Sequence, residues 1–370
     1  MGTAPLRWGI LGTAGIARKN WRAIRLSGNG TLAAVASRDA TRAREFVAAC
    51  QTEEPFDPAP RALGSYAELL AAPDIDAVYV PLPTGVRKEW VIRAAEAGKH
   101  VVCEKPCAVS AADLREMLAA CARHNVRFMD GVMFRHSARL ARLGVALGDA
   151  ENFGAPRRMT AAFSFAAPVE FFAGNIRGQA ALEPHGCLGD LGWYCAQLAL
   201  WAAGWRLPRE VTARLLTECG GVPVELTAEL AFDGGLTAGF YCAFNTANQQ
   251  WAHFAGTCGG ARVDDFVLPF AGAETAFVTQ RAEFLVRGCD FRMEPRARRV
   301  SVAEHGHGHA TAQEANLFRH FAAAVRAGRD GETAGLTGNA TWPAIALQTQ
   351  QVADACLASA RAGGRPVAPA

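Results

Sequence analysis

The sequence predicts an α/β fold in two parts, and three patterns indicate it. Up to about residue 130, short apolar runs alternate with helical patterns, whereas beyond it strand-like runs follow one another directly. A glycine-containing turn joins the first strand to the first helix. Strands that alternate with helices form a doubly wound parallel sheet, and consecutive strands form antiparallel sheets. We therefore expect a Rossmann domain in residues 1–131 and an α+β domain with a large, mainly antiparallel sheet in residues 132–370.

Apolar periodicity and capping residues place the elements of the first part. Gly98 is expected to end one helix as its C-cap, and Ser110 to begin the next as its N-cap. We expect strands at residues 6–11, 31–37, 77–80, 100–103 and 126–129, and helices at about 16–25, after Asp39, at 86–97 and at 110–124.

The second part carries strand-like runs with few helices. Asp233, Gly234 and Gly235 form a hairpin signal between two of these runs, and Asn339 is placed as the N-cap of the last helix. We expect strands at residues 158–165, 211–217, 224–232, 236–244 and 251–257, and helices at about 189–203, 313–327 and 339–361.

Composition excludes several classes of partner. The chain has 370 residues and a formal net charge of only +3, and its Lys and Arg form no stripe that would indicate nucleic acid or a membrane surface. No apolar run reaches the roughly 18 residues of a membrane span, and the first strand begins too near Met1 for a signal peptide. Eleven scattered cysteines favour reduced thiols over a disulfide framework. We expect a cytoplasmic protein.

The turn after the first strand has the spacing of a dinucleotide-binding loop. A strand precedes it and a helix follows, which is the context in which helix N–H groups bind a pyrophosphate. Ala14 stands at the second position of the G-x-G-x-x-G/A pattern, where glycine is usual, and Ala17 stands at the third. A ligand-free turn is the alternative. The residues expected to contact a cofactor here are Gly12, Thr13, Ala14, Gly15 and Ile16.

The end of the second strand indicates which dinucleotide binds. In NAD-binding domains an acidic residue at this point bonds the adenosine ribose hydroxyls. Here the strand ends in Ser37 and Arg38, and a hydroxyl with a guanidinium suits the 2′-phosphate of NADP. We expect NADP. The alternative is an exposed Arg38, with Asp39 reaching back to serve NAD.

Glu104, Lys105 and Pro106 follow directly after a predicted strand. Ligands of parallel sheets bind beyond the carboxyl ends of the strands, so we expect Glu104 and Lys105 beside the cofactor and Lys105 also at the substrate. Pro106 restricts the backbone of Lys105 to extended or turn geometry. A Glu–Lys pair on a solvated loop is the alternative.

Asp190 and Tyr194 lie four residues apart on a predicted helix and therefore share one face. A carboxylate and a phenol there can hold a substrate hydroxyl and move its proton, and a nearby Lys cation would lower the pKa of the phenol. The alternative is a capping Asp190 and a core Tyr194. Arg177, a little upstream, either meets a polar substrate or forms a structural ion pair.

Together these elements resemble the Gfo/Idh/MocA family, named after glucose–fructose oxidoreductase, inositol dehydrogenase and a rhizopine-catabolism protein. The likeness spans nearly the whole chain: the Gly-rich turn, the Glu-Lys-Pro sequence, the Gly-rich helix with Asp190 and the late antiparallel sheet. The run from Val78 to Thr84, followed by Glu104 to Pro106, is similar to the branch of dihydrodiol dehydrogenase and NADP-xylose dehydrogenase.

The resemblance implies an NADP(H)-dependent oxidoreductase that transfers hydride to or from a hydroxyl or carbonyl of a sugar, polyol or diol. It also implies three roles. Lys105 orients the substrate and tunes proton transfer, Asp190 bonds a substrate hydroxyl, and Tyr194 donates or accepts the proton where many members carry His. The residues implied along the nicotinamide half of the groove are Pro81, Leu82 and Thr84.

Two other functions stay open. Some relatives of this fold use a tightly held nicotinamide for transient oxidation during glycoside cleavage or epimerisation. A non-catalytic NADP-binding sensor is the second alternative, although such a protein has no need for Lys105, Asp190 and Tyr194. The open face of an antiparallel sheet needs cover, so a homodimer or homotetramer through the C-terminal sheet is expected, as in the family.

Several conspicuous side chains are interpreted as structural. The histidines from His305 to His309 alternate with glycine, which is typical of a surface loop, and no metal site is expected there. Arg135 and His136 follow the last strand of the first domain, either at the cleft or at the connection between domains. Three tryptophans at near-helical spacing, Trp193, Trp201 and Trp205, are interpreted as core residues, with a sugar-binding platform as the alternative.

Overall fold

The computed structural model describes residues 4–168 and 170–370. Its first sheet is six-stranded and entirely parallel. The elements of this part are, in order, β1 (Leu6–Leu11), α1 (Gly15–Ser27), β2 (Gly30–Ala36), α2 (Ala40–Glu53), β3 (Arg61–Leu63), α3 (Tyr66–Ala71), β4 (Ala77–Val80), α4 (Thr84–Glu96), β5 (His100–Cys103), α5 (Ala111–Arg123) and β6 (Phe128–Asp130).

The strand order of the parallel sheet, β3-β2-β1-β4-β5-β6, is that of a dinucleotide-binding Rossmann fold. The order reverses between β1 and β4, so the chain leaves these two neighbouring strands in opposite directions. The loops that follow β1, β4 and β5 therefore open a crevice at the carboxyl edge of the sheet. All the strands predicted for the first part are confirmed. The elements β3 and α3 were not predicted, because they are too short to show a recognisable periodicity of apolar residues.

The second part is built on an eight-stranded sheet. Its elements are α6 (Ala138–Leu147), β7 (Pro156–Ala166), α7 (Phe171–Gly174), α8 (Trp193–Ala202), β8 (Glu210–Cys219), β9 (Val222–Ala231), β10 (Thr237–Ala243), β11 (Asn245–Gly256), β12 (Gly260–Val263), β13 (Thr275–Arg287), β14 (Asp290–Val302), α9 (Gln313–Arg326), β15 (Glu332–Ala334), β16 (Asn339–Thr341) and α10 (Trp342–Arg361).

The order of this sheet is β14-β13-β12-β11-β7-β10-β9-β8. Only the pairing of β7 with β10 is parallel within the described residues, so the prediction of a mainly antiparallel sheet is confirmed. Gly234 and Gly235 form the hairpin turn between β9 and β10, and both have φ of +86°, a conformation that favours glycine. The helix α8 covers one face of the sheet, where Trp201 packs on Phe254.

The predicted cap of the last helix is wrong. Asn339 begins the short strand β16, and α10 starts at Trp342 after Thr341. Asn339 pairs with Ala334 in a two-stranded ribbon, and this pairing of the backbone overrides its capping preference. The prediction that three tryptophans are core residues is confirmed: Trp193 and Trp201 of α8 and Trp205 just beyond it are all buried.

A late helix returns to the first sheet. On α9, Phe318 and Phe321 pack on Trp8 of β1, with ring centroids 5.1 and 5.5 Å apart. The same helix carries Glu314, whose carboxylate lies 2.7 Å from the ammonium of Lys19 on α1. The C-terminal third thus supplies part of the wall beside the crevice.

Arg135 and His136 lie at the connection between the two parts. Arg135 forms a fully buried ion pair with Asp130, whose other oxygen accepts a hydrogen bond from Gln197 of α8 at 2.8 Å. His136 stands beside His320 of α9. The second of the two sequence interpretations, a structural role at the junction, is therefore the one observed. Within the described residues, no helix combines the length and apolarity needed to cross a bilayer.

Candidate active site

A cavity of about 1050 Å³ lies between the two sheets, at the carboxyl edge of the parallel one. Both halves of the chain contribute to its wall. The predicted site residues that line it are Ala14, Gly15, Ile16, Pro81, Leu82, Glu104, Lys105, Arg177, Asp190 and Tyr194. Chain segments far apart in the sequence thus bring most of the predicted residues into one space.

The turn between β1 and α1 has the geometry that a dinucleotide requires. Gly12 has φ of +113°, and a Cβ there would lie 3.3 Å from Leu82 Cδ2. At Gly15 an added Cβ would meet nothing within 4 Å, so this side of the turn is open. Ala14 precedes the helix with a methyl group that cannot cap it. The first N–H groups of α1 are thus available to phosphate oxygens, which fits a pyrophosphate.

Cations flank the end of β2, where the adenosine ribose of a dinucleotide would lie. Arg38 and Arg42 are exposed and stand near the hydroxyl of Tyr66. Burial raises the pKa of Tyr66, and the two guanidinium groups partly oppose this effect. Asp39 accepts a hydrogen bond from the backbone N–H of Thr41 at 2.8 Å and caps α2. Its carboxylate is therefore engaged in the helix, while the two cations point to a phosphate.

Glu104 belongs to a buried chain of hydrogen bonds that the sequence did not reveal. Asn20 of α1 donates to the hydroxyl of Tyr79 at 2.6 Å, and that hydroxyl donates to Glu104 Oε1, also at 2.6 Å. The other oxygen, Oε2, accepts from the backbone N–H of Lys105 at 3.2 Å. This chain ties the first helix to the ends of β4 and β5, so it fixes the direction in which Glu104 and Lys105 leave the sheet.

A buried arginine fixes the same loops from behind. Arg87 of α4 is 3% exposed. Its guanidinium donates to the carbonyl oxygens of Leu82 (2.9 Å), Glu104 (2.8 Å) and Pro106. Two of these carbonyls lie on either side of Lys105. Arg87 therefore joins the loop after β4 to the loop after β5, and it does so through main-chain atoms that no residue pattern identifies.

Thr84 lies behind the cavity wall. Its hydroxyl donates to Glu183 Oε2 at 2.6 Å, and its backbone N–H donates to Oε1 of the same carboxylate at 3.1 Å. Glu183 comes from the second part of the chain, so this contact fastens the start of α4 to the opposite wall. Pro81 and Leu82 line the cavity, whereas Thr84 supports the wall through Glu183.

Lys105 and Arg177 both bind the carboxylate of Asp190. The Lys105 ammonium donates to Asp190 Oδ1 at 2.7 Å and to the Asp190 carbonyl at 2.6 Å, and Arg177 Nε donates to Oδ2 at 2.8 Å. Burial alone would raise the pKa of Asp190, but the two cations outweigh it and lower that pKa to about 2. Asp190 is thus a permanent anion, and Arg177 combines its two expected roles, because it lines the cavity and forms an ion pair.

The segment that carries Asp190 is wound more widely than an α-helix. Leu188 to Gly192 form a π-helical turn, and α8 follows from Trp193. Such turns occur frequently at functional sites. At Gly189 a Cβ would lie 2.9 Å from Pro106 Cγ, so glycine allows this turn to approach the loop of Lys105. The close approach brings Asp190 and Lys105 together.

The ring of Tyr194 faces the ammonium group of Lys105. The ammonium lies 4.9 Å from the ring centroid, and the hydroxyl donates only a weak, 3.7 Å hydrogen bond to Met133 Sδ. The expectation of a lowered pKa is wrong for this arrangement. Burial raises the pKa of Tyr194 well above its usual value, and the carboxylates of Glu104, Asp190 and Glu314 add to the effect. The phenol is therefore neutral, which suits a proton donor.

The histidine-rich segment, His305 to His309, forms a loop whose residues do not line the cavity. The rings of His305 and His309 stack with centroids 3.7 Å apart, and the Nδ1 atoms of both lie about 3 Å from the hydroxyl of Thr311. Among residues 4–168 and 170–370, no group of three or more potential ligands is arranged to hold a metal ion.

The fold and the cavity define an oxidoreductase with an NAD(P)-binding Rossmann domain and a second part built on a mainly antiparallel sheet. Two family models match the chain: the oxidoreductase family with an NAD-binding Rossmann fold over residues 6–132, and the GFO/IDH/MocA C-terminal domain over residues 146–262. The chain belongs to the Gfo/Idh/MocA family of oxidoreductases.

Relatives with assigned activities support the same class. D-xylose 1-dehydrogenase (NADP(+)) 2 of Haloferax volcanii is 33% identical over 276 residues, which are 74% of this chain and 81% of that protein. Trans-1,2-dihydrobenzene-1,2-diol dehydrogenase of Sus scrofa is 29% identical over 70% of this chain and 74% of its own length.

A solved structure is similar over almost the full length. KijD10, a 3-ketoreductase from Actinomadura kijaniata in complex with NADP and TDP-benzene, superposes with a TM-score of 0.79 at 27% identity. The alignment covers 96% of this chain and 98% of that one. The two domains thus have the fold of an NADP-dependent reductase.

Proposed function

We propose that this protein is an NADP-dependent dehydrogenase or reductase that acts on a hydroxyl or carbonyl carbon of a sugar, polyol or diol. The observation that carries the proposal is the meeting of Lys105, Asp190 and Tyr194 in one cavity at the carboxyl edge of a Rossmann sheet. According to their names, the relatives described above act on a pentose, a cyclic diol and a keto group.

Arg38 and Arg42 support a preference for NADP. They are two exposed guanidinium groups at the end of β2, where forked donors can bind a 2′-phosphate. Asp39, the residue that would favour NAD, is engaged in capping α2. The residues proposed to contact the cofactor are Gly12, Thr13, Ala14, Gly15, Ile16, Ser37, Arg38, Pro81, Leu82, Glu104 and Lys105, with Thr84 behind them.

Tyr194 is proposed to move the proton. When bound, the nicotinamide supplies or accepts the hydride. A neutral phenol with a weak thioether partner is ready to donate its proton to a substrate carbonyl oxygen, which leaves a phenolate. In the reverse direction that phenolate accepts the proton of a substrate hydroxyl. Lys105, beside the Tyr194 ring, stabilises negative charge that develops on the phenol or on the substrate oxygen.

Asp190 and Arg177 are proposed to set the position of Lys105 and of the substrate. The Asp190 carboxylate holds the ammonium in place, which removes rotamer freedom from a long side chain. A substrate hydroxyl that approaches this ion pair can donate to Asp190, which stays ionised at every physiological pH because its pKa is about 2. Arg177 is half-exposed to the cavity and can donate to a substrate oxygen.

A screen of substrates with both coenzymes tests this function. NADP+ reduction is measured over aldoses, inositols, anhydrosugars and trans-diols, in parallel with NAD+. We expect turnover on at least one class with NADP+ favoured. Turnover with no net NADPH change and a cofactor that stays bound through purification would instead indicate transient oxidation during glycoside cleavage or epimerisation. Tight NADPH binding with no turnover on any class would indicate a sensor.

The division of the chain, its assembly and its compartment are also proposals. We place the NADP-binding domain at residues 1–131 and the substrate and dimerisation domain at residues 132–370. We propose a homodimer or homotetramer through the open face of the eight-stranded sheet, because such a face needs cover. All eleven cysteines are free thiols, which favours a reducing, cytoplasmic setting.

A further inference from the structure

A buried carboxylate oxygen in the cavity wall has no hydrogen-bond partner. Among residues 4–168 and 170–370, Glu314 Oε2 is the only unpartnered buried side-chain polar atom that belongs to a residue lining the cavity. The other oxygen of this carboxylate, Oε1, lies 2.7 Å from the ammonium of Lys19. Glu314 is 7% exposed, so bulk water reaches it little. A buried acceptor without a donor is costly, and more so when it is charged, so we expect a ligand to supply the donor.

The packing of α9 on the first sheet places Glu314 at the carboxyl edge. Glu314, Leu317 and Phe318 stand at positions i, i+3 and i+4 of this helix and therefore share one face. Phe318 packs on Trp8 of β1 and on Tyr79 of β4, with ring centroids 5.1 and 5.9 Å apart. Leu317 and Glu314, in the turn before it, line the cavity. The carboxylate thus lies one helical turn from the residue that packs on the strands.

This wall belongs to the half of the crevice in which a nicotinamide would lie. Ile16, Lys19 and Asn20 share one face of α1, and all three line the cavity. Asn20 reaches towards β4, because it donates to the hydroxyl of Tyr79 at 2.6 Å. A dinucleotide crosses the sheet from the half that holds its adenosine, at the end of β2, over the start of α1 to the half built on β4 and β5. The part of the cofactor that comes nearest to Glu314 is therefore the nicotinamide end.

The groups proposed to hold the substrate lie on a different wall. Arg177 and Asp190 come from the segment before α8, in the second part of the chain, and Asp190 binds the ammonium of Lys105. Glu314 is instead paired with Lys19 of α1, on the Rossmann side. A molecule that lies against the Rossmann wall is the cofactor, whereas the substrate faces the second part. The missing donor is therefore expected on the cofactor.

The nicotinamide ring carries a single hydrogen-bond donor, the NH₂ group of its carboxamide. An ionised carboxylate only accepts hydrogen bonds, so Glu314 Oε2 and this group are complementary. A hydrogen bond to a charged acceptor is about twice as strong as one between neutral groups. Because the carboxamide lies at the rim of the ring, holding it fixes the rotation of the ring about its bond to the ribose. That rotation decides which face of the ring is turned to the substrate.

We propose that Glu314 binds the carboxamide of the nicotinamide and thereby orients the ring for hydride transfer. The proposal rests on the NADP binding proposed above and adds a residue from the last third of the chain to the cofactor site. Oε2 accepts the carboxamide N–H, while Oε1 stays with Lys19. The Lys19 side chain is 34% exposed, and water can take the place of its ammonium on Oε1, so the contact through Oε2 does not depend on Lys19.

Calorimetric titration with NADP+ and with 3-acetylpyridine adenine dinucleotide phosphate tests the contact without any substrate. The analogue has a methyl group in place of the carboxamide nitrogen, so it cannot donate to Glu314. In Glu314→Met we expect the Kd for NADP+ to rise by about 10–100-fold and the Kd for the analogue to change by less than about twofold. Glu314→Gln keeps the shape of the side chain and a neutral acceptor, and should give a smaller rise for NADP+ alone. Arg38→Ala is the matched control: the 2′-phosphate is common to both coenzymes, so it should weaken both by the same factor.

Two outcomes overturn the inference while NADP binding stands. Equal losses for NADP+ and the analogue in both Glu314 variants, with thermal melting that shows them folded, would mean that Glu314 contacts a part shared by the two coenzymes. An unchanged Kd for NADP+ in Glu314→Met would mean that the cofactor does not reach it. A wild type that binds neither coenzyme would refute the NADP proposal and the contact together. The substrate screen judges the enzymatic function separately, since these titrations need no turnover.

Discussion

The ammonium of Lys105 lies 2.7 Å from Asp190 Oδ1, and this ion pair joins the Rossmann half of the cavity to the half built on the antiparallel sheet. Lys105 leaves the sheet at the end of β5, and Asp190 sits in a π-helical turn that precedes α8. The pair therefore sets the distance between the two walls. It also holds the ammonium 4.9 Å from the centroid of the Tyr194 ring, so the distance between the positive charge of Lys105 and the phenol ring is fixed.

Replacing Lys105 should lower turnover far more than it weakens cofactor binding. In Lys105→Met the charge that stabilises a developing oxyanion is lost, and we expect kcat to fall by about 10²–10³-fold. The Kd for NADPH, measured by fluorescence, should stay close to that of the wild type. Lys19→Met is the matched control, since Lys19 also lines the cavity but pairs with Glu314. An unchanged kcat in Lys105→Met would remove Lys105 from the mechanism.

The raised pKa of Tyr194 predicts opposite pH profiles for the two directions of reaction. The phenol stays protonated through neutral and mildly alkaline pH, so kcat/KM for carbonyl reduction should be level from about pH 6 to about pH 9. Alcohol oxidation needs the deprotonated phenolate as proton acceptor, so kcat/KM in that direction should rise throughout the same range. Tyr194→Phe should lower both by about 10²–10⁴-fold, whereas Tyr241→Phe, on a strand outside the cavity, should have no effect. A reduction rate that fell with a midpoint near pH 7 would contradict the neutral phenol.

The residues that the sequence predicted well are those that follow a strand directly. Gly12 comes one residue after β1, and Lys105 two residues after β5, so chain order and the geometry of parallel strands place both at the same edge. Asp190 and Tyr194 were found because the sequence predicts one helix through both, although Asp190 lies in the π-helical turn that precedes α8. The same local reasoning failed for the pKa of Tyr194, because burial is the main cause that raises it, and two of the carboxylates that add to the effect, Glu104 and Glu314, come from distant segments.

The supporting residues could not be predicted because their partners are main-chain atoms or distant side chains. Arg87 bonds carbonyl oxygens, which leave no mark on a sequence. Glu183 bonds Thr84 across 99 residues, and nothing in either neighbourhood indicates the pairing. A weak pattern in the sequence could have identified Arg42 as a second ligand for the phosphate, since it is a cation on the helix that begins beside Arg38. The helix α9 is amphipathic in sequence, but its contact with Trp8 follows only from the tertiary fold.

Removing the cations at the end of β2 should change the preference for the coenzyme. In Arg38→Ala/Arg42→Ala the 2′-phosphate loses its charged donors, and we expect KM for NADP to rise by about 10–100-fold. KM for NAD should not change, because NAD lacks that phosphate. Arg44→Ala, an exposed arginine on the same helix, is the control. If KM for both coenzymes rose equally, the two residues would act on folding or on the shared part of the cofactor.

Arg87 is predicted to act as a positioning residue. In Arg87→Met the carbonyl oxygens of Leu82, Glu104 and Pro106 lose their common donor, and the loop of Lys105 is released. A displacement of about 1 Å at the reacting groups can cost about 10²-fold, so we expect a large loss in kcat with a smaller change in KM. Arg87→Lys should restore part of kcat, and Arg93→Met on the exposed side of α4 should behave as the wild type. Equal kcat in Arg87→Met and Arg93→Met would refute the role.

Neutralising Asp190 should change the pH dependence of stability. The pKa of Asp190 is about 2 instead of the ordinary 3.8, and a carboxyl with a lowered pKa stabilises the fold fully above the pKa of the unfolded chain. This stabilisation, about 2 kcal/mol at neutral pH, is lost as pH falls from about 4 towards 2. The free energy of unfolding of the wild type, from urea titrations, should therefore fall more steeply over that interval than that of Asp190→Asn.

The same variant also leaves Lys105 and Arg177 without a shared anion. Breaking a buried ion pair costs ~3–5 kcal/mol, and we expect the lower end because the Arg177 side chain is 40% exposed. Asp74→Asn is the control, because it removes an exposed partner of Arg61 and should cost well under ~1 kcal/mol. If Asp190→Asn kept the neutral-pH stability of the wild type and the same slope between pH 4 and pH 2, the carboxylate would contribute nothing to joining the two walls. Lys105 would then owe its position to the loop that Arg87 and Glu104 hold.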